Sequence, residues 1–250
     1  MNYVAVSGKM GTGKTTLCNH LNKKLHKDFG LIVSFASPIK NLYYQRELLA
    51  AFNIIEQRVY DGKNYEQIIP LLEYLPFILT LEEFDSKLQE NEKPRKQFQF
   101  IGDFFKSQFG NDFWAMQLFR ELKTYIEIEK AMNNNINFVA IDDLRYNIEF
   151  ETIRKQKDNF TIIGIELKEE VRLQIIEQTK IGTKDSLNHS SETEVDDIIG
   201  FIKSKSYNDT YEIGDWFVTF YSTKGELIPN RFKEAVFENF TKKNPLERQD

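Results

Sequence analysis

The order of apolar and amphipathic segments predicts a three-layer α/β fold, a central parallel sheet with helices on both faces. Three observations predict it. Tyr3-Val4-Ala5-Val6 is an apolar run that ends in glycines and passes into a helical pattern, Thr16-Leu17-Cys18-Asn19-His20-Leu21. Phe138-Val139-Ala140-Ile141 is a short continuous apolar run of the kind that parallel sheets bury on both faces. Strand and helix patterns alternate along most of the chain, which favours parallel pairing through crossover helices.

The first helix runs to about Leu25, and after the turn at Asp28-Phe29-Gly30 the stretch Leu31-Ile32-Val33-Ser34-Phe35 reads as a second strand. Ser37-Pro38 starts a helix that continues from Ile39 to about Ile55, because proline suits a first helical position. Residues 56–92 hold Asp61-Gly62, two prolines and an acidic stretch, and read as an irregular or helical insertion. Pro94 opens a helix to about Phe109, Gly110 stops it, and Asp112 is expected to cap the next, Phe113 to about Met132. A helix from Ile148 to Lys157 and a strand from Thr161 to Leu167 come next. Trp216 to Tyr221 alternates like a strand, and Phe232 to Phe240 is helical in pattern. The whole is expected to be one domain over residues 1–250, with the insertion at 56–92 and a lid at 168–192.

Composition narrows the function classes. A chain of 250 residues can bury one substantial α/β core. No apolar stretch approaches the ~18 residues that span a bilayer, so no membrane partner is expected. The N-terminus enters a strand directly, and no signal peptide is expected. Cys18 is the single cysteine, which fits a reducing cytoplasm and is assigned no chemistry. A formal net charge of −5 argues against gripping a nucleic-acid polymer, which needs a dense basic footprint. A small anionic ligand needs only a few local cations.

Residues 8–15 read Gly-Lys-Met-Gly-Thr-Gly-Lys-Thr between the first strand and the first helix. A strand that turns through glycines into a helix aims backbone N–H groups and a positive dipole end at one point. Gly8, Gly11 and Gly13 allow close backbone approach to phosphates, with Lys9, Thr12 and Thr16 completing the cradle. Lys14 can reach β- and γ-phosphates, and the Thr15 hydroxyl can ligate Mg²⁺. A bound nucleoside triphosphate with Mg²⁺ is expected.

Ligands in such a sheet gather beyond the C-terminal ends of strands. Asp142 and Asp143 stand at one such end, and two carboxylates there suit Mg²⁺, which keeps several waters. Asp143 is the first choice for metal and catalysis; Asp142 is the second, and one of the pair is left to cap the turn. Arg145 is open to two readings, a fork onto phosphate or an ion pair with Glu149 four residues on. Arg95, in Lys93-Pro94-Arg95-Lys96, reads locally as part of an exposed charged face. His189 is a phosphate contact or a neighbour of a helix cap, with Ser190 or Ser191 as the cap and Glu192 and Glu194 in the first turn.

Together these stretches resemble the deoxynucleoside monophosphate kinases of bacteriophages, a branch of the phosphate-loop kinases. The resemblance covers about residues 1–55 and 93–215. It is carried by the loop at 8–15, Phe35-Ala36-Ser37-Pro38-Ile39-Lys40, Lys93 to Gly102, Asp112-Phe113-Trp114, Asp142-Asp143-Leu144-Arg145-Tyr146-Asn147-Ile148-Glu149 and His189-Ser190-Ser191-Glu192. The resemblance implies a P-loop NTPase fold with a helical insertion plus lid. It implies transfer of the ATP γ-phosphoryl group to a deoxynucleoside 5′-monophosphate, with Mg²⁺, in the cytoplasm of a phage host. Lys14 and Thr15 would serve the ATP phosphates and metal, Lys40, Arg95 and Gln99 the monophosphate, and Arg145 the reacting phosphates. The region 168–192 would close over the site; its one arginine is Arg172, with Lys180 and Lys184 as further cations. Two alternatives stand beside this reading: another phosphate-loop kinase of small molecules, and a nucleotide-binding switch or ATPase that drives a partner. The aromatics between Phe98 and Tyr125 are open to two readings, a homodimer face or core.

Overall fold

The computed structural model describes residues 1–26, 30–44, 98, 102–103, 105–107, 109–179, 190–205 and 210–241. Arg95, Gln99, Lys180, Lys184, His189 and the expected insertion at 56–92 lie outside the described residues. The chain divides into two compact units, Met1–Ser37 with Asn111–Asp250, and Pro38–Gly110. In the second unit, helix α2 (Ser37–Tyr44) carries Lys40 on its exposed side, and the rings of Phe105 and Phe109 lie 6.0 Å apart.

The first unit is built on a six-stranded sheet. In chain order its elements are β1 (Asn2–Gly8), α1 (Lys14–His26), β2 (Gly30–Val33), α3 (Phe113–Ala131), β3 (Phe138–Leu144), α4 (Asn147–Arg154), β4 (Phe160–Leu167), α5 (Glu169–Thr179), α6 (Ser190–Lys205), β5 (Thr210–Ile213), β6 (Trp216–Ser222) and α7 (Asn230–Thr241). The spatial order is β2-β3-β1-β4-β6-β5. Strands β2, β3, β1 and β4 pair in parallel, whereas β6 runs antiparallel to β4 and β5 antiparallel to β6.

This overturns the expected P-loop NTPase fold with its central parallel sheet. The sheet is mixed. The reason is local: Ile213 and Trp216 are joined by the two residues Gly214 and Asp215, with Gly214 at φ 60°, and so short a link can only reverse the chain. Strand β5, Thr-Tyr-Glu-Ile, is too short and polar to stand out in the sequence. Asp112 stands at the N-cap position of α3 as expected, but its side chain makes no capping hydrogen bond there.

Alternation along the strands divides the core into two clusters. Val4, Val6, Ile163 and Ile165 face Leu17 and Leu21 of α1 and Val236 and Phe240 of α7. Ala5, Ile141 and Ile162 face Leu118 of α3, Ile153 of α4 and Ile198 and Ile202 of α6. Strand β1 is thus buried on both faces and hydrogen-bonded on both edges. The pairing of β1 with β3 has one irregularity. Ala5 pairs with Ile141 but Ser7 pairs with Leu144, so β3 uses one residue more than β1 across that step. The extra residue is a bulge, and it falls on Asp142-Asp143.

Phe160 opens β4, is 1% exposed, and has the rings of Tyr3 and Phe119 at 4.8 and 5.9 Å. Phe160→Ala should lower the unfolding free energy by about 3–5 kcal/mol in urea titrations. A loss under about 1 kcal/mol would show that this cluster does not anchor the sheet.

Candidate functional site

The glycine-rich loop leaves β1 at its buried end. A Cβ on Gly8 would lie 2.6 Å from the Ile165 carbonyl oxygen and 2.7 Å from Thr12 Oγ1, so only glycine fits against β4 there. Gly11 and Gly13 sit at φ 85° and 88°, a region that side chains resist. Thr12 is buried and its hydroxyl donates to the Lys9 carbonyl at 2.9 Å, which closes the turn. Helix α1 begins at Lys14, and its first backbone bond runs from Leu17 N–H to the Gly13 carbonyl. The N–H groups of Lys14, Thr15 and Thr16 therefore emerge at the helix start without helical partners, at the positive end of the dipole.

Lys14 is 7% exposed, and its ammonium donates to the carbonyls of Gly8 at 2.6 Å and Lys9 at 2.9 Å. Burial pushes its pKa down to about 7, helped by the Arg145 guanidinium and opposed by Glu192, Asp143 and Asp142. Cys18, one turn further on, is buried, and desolvation raises its thiol well above the ordinary value, so it is inert.

The bulge in β3 gives the two aspartates different neighbours. Asp142 accepts the Thr15 hydroxyl at 2.7 Å. Asp143 instead accepts the backbone N–H of Phe35 at 2.6 Å and of Ala36 at 3.4 Å, tying the end of β2 to β3. Desolvation raises the Asp143 pKa; the Phe35 N–H opposes this, the Asp142 carboxylate adds to it, and Arg145 opposes it. Of the pair, Asp142 is the one beside the hydroxyl expected to meet Mg²⁺.

Arg145 follows β3, with its guanidinium 3.7 Å from Glu192 Oε1. Glu149 takes the backbone N–H groups of Arg145 and Tyr146, each at 3.0 Å, and so caps α4. Arg172 on α5 is 5% exposed and turned onto protein. It forks onto Glu169 at 2.8 and 2.7 Å, donates to the Met10 carbonyl at 3.2 Å, and lies 3.5 Å from Glu192. Ile176 of the same helix packs on the loop, 3.1 Å from where a Gly11 Cβ would be. Lys9 pairs with Asp196 of α6 at 2.8 Å, and Thr16 is exposed.

Sequence reasoning missed Glu192 as a member of the site. It lies in the first turn of α6, is 5% exposed, and both its oxygens accept the Met10 N–H, at 3.3 and 3.2 Å. A signal existed. Glu192, Val195, Ile199 and Ile202 share the helical spacing of one buried stripe, and an acid in such a stripe needs partners.

The oxygen pair Thr15 Oγ1 and Asp142 fits a hard cation that is held mainly by phosphate and water. Among the described residues no group of three His, Cys, Asp or Glu would hold a metal unaided. Among them too, no helix is long and apolar enough to cross a membrane. Compared with models of protein families, with curated proteins and with solved structures, the chain matches none.

Lys14 also sets a pH dependence. Its folded-state pKa of about 7 lies below the ordinary 10.5, so between these values the unfolded chain holds a proton that the folded chain has released. Stability therefore rises with pH across that window, and the cost of charging Lys14 is fully present below it. The wild type should gain a few kcal/mol relative to Lys14→Met between pH 7 and about pH 10 in urea titrations. Parallel profiles would mean that Lys14 keeps an ordinary pKa.

Proposed function

We propose that the chain is a deoxynucleoside monophosphate kinase, moving the γ-phosphoryl group of ATP to a deoxynucleoside 5′-monophosphate. The observation that carries this reading is convergence. The N–H groups of the α1 start, the Lys14 ammonium, the Thr15–Asp142 pair and Arg145 all gather at the ends of β1 and β3. The loop chemistry supports the reading independently of sheet direction, and the resemblance of its motifs to the phage enzymes supplies the acceptor class.

Each group has a task in such a transfer. The loop amides of residues 11–16 hold the β- and γ-phosphates through the helix start. Lys14 leaves the Gly8 and Lys9 carbonyls for the phosphate oxygens, where an anion in place of carbonyls favours its protonated form. Bound Mg²⁺ would supply charge neutralisation for the nucleotide phosphates. Thr15 and, through water, Asp142 would hold it. Arg145 faces the transferred group as a monophosphate oxygen bonds to the γ-phosphorus and the bond to the ADP oxygen breaks. The reaction asks for placed cations and positioned reactants, and no protein nucleophile is needed. Lys40, Arg95 and Gln99 are assigned to the acceptor by the resemblance alone.

Purified chain mixed with ATP, Mg²⁺ and each deoxynucleoside monophosphate in turn should release ADP with one or two acceptors. Release without any acceptor would favour a switch or ATPase, and no release with any would favour a different small-molecule acceptor. Arg145→Ala should lower turnover by about a hundredfold or more while leaving ATP affinity within a few-fold of wild type. Unchanged turnover would reduce Arg145 to a partner of Glu192. Lys14→Ala should lose both affinity and turnover, and normal ATP affinity would refute its role.

A further inference from the structure

Both polar atoms of one loop residue are held by side chains from distant helices. The Met10 N–H is accepted by Glu192 of α6, and the Met10 carbonyl accepts from Arg172 of α5. The partners lie 182 and 162 residues away in sequence, so local turn geometry does not create this arrangement. Glu192 and Arg172 are both nearly excluded from water, with side chains 7% and 6% exposed, and they lie 3.5 Å apart. Each oxygen of Glu192 has its own guanidinium, Oε1 facing Arg145 and Oε2 facing Arg172.

We propose that Glu192 and Arg172 form a latch on the Met10 backbone that sets the phosphate loop in its ligand-ready conformation, with Glu192 also positioning Arg145. Both are positioning residues: they touch the loop and Arg145 rather than the reacting atoms. The physical argument is one of cost. A buried carboxylate survives only when paired and hydrogen-bonded, and the pairs that satisfy Glu192 are the groups whose placement matters for phosphate binding. The fork from Arg172 to Glu169 then fixes the second guanidinium face, leaving Nη1 aimed at the Met10 carbonyl. The glycine-rich loop, shaped by its own turn, is thereby also held in place from two helices. The role in catalysis rests on the kinase reading, whereas the latch itself does not.

The test uses the full-length chain without ligand, with amide exchange read by mass spectrometry, followed by MgATP titration. Glu192→Ala should speed exchange of the peptide covering residues 8–15 by about tenfold or more, with peptides from β4 and β6 unchanged. Glu192→Gln keeps an acceptor for the Met10 N–H and should stay within about threefold of wild type. MgATP affinity should fall about tenfold in Glu192→Ala and recover most of that loss in Glu192→Gln. Wild-type exchange in the loop of Glu192→Ala overturns the latch. Should that variant also lose protection in β4, Arg172→Lys decides: it keeps the charge but cannot span Glu169 and Met10, so its loop should loosen alike, and an unchanged loop overturns the proposal. A wild-type chain that binds no MgATP sinks the kinase reading and leaves loop exchange to judge the latch.

Discussion

Everything at the site depends on how closely β1 and β4 approach where β1 ends. At Gly8 there is no room for a single methyl group, because the Ile165 carbonyl fills the space. That approach ends the strand, and residues 9–13 must complete the turn before α1 can begin. Gly11 and Gly13 supply the backbone angles, and Thr12 is drawn inward to bond Lys9. The core on either side of β1 holds this geometry in place, with α1 and α7 on one face and α3, α4 and α6 on the other. The glycine-rich loop is in this sense a by-product of tight packing between two central strands.

The ion pairs around the loop are a second layer of constraint. Glu192, Arg172 and Lys14 are buried, and burying charge costs more than a surface pair returns. Such an arrangement is poor evidence for stability and better evidence for specificity, since each group is satisfied in one geometry. The depressed pKa of Lys14 points the same way: the folded chain holds this amine where its charge is least welcome.

Many of the individual elements were legible in the sequence, whereas the arrangement of the sheet was not. The loop, the apolar runs of β1, β3 and β4, and the helices α3, α4 and α7 follow from periodicity and turn chemistry, within a few residues of their observed bounds. Three features were not legible, two because they depend on a partner far along the chain and one because its short strand carries no clear apolar pattern. The separate neighbours of Asp142 and Asp143 come from a bulge, and a bulge is a property of the pairing with β1. The reversal of β6 against β4 depends on a two-residue link and on a strand, Thr210–Ile213, whose sequence is mostly polar. The burial of Glu192 depends on the loop coming to meet α6. The acid of a Ser-Ser-Glu helix start otherwise reads as an ordinary first-turn residue.

Positive and negative charge are closely matched around the loop. Lys9, Lys14, Arg145 and Arg172 each rest against, or close to, carboxylates of Asp142, Asp143, Glu169, Glu192 and Asp196. The loop is therefore surrounded by nearly balanced charge, and its neighbourhood casts little net field into solvent. On the proposed reading an incoming triphosphate would not be drawn from afar; it would be recognised on arrival, as amides and released cations exchanged one set of oxygens for another. On that reading encounter rates would respond weakly to added salt, and selectivity would reside in fit at contact distance.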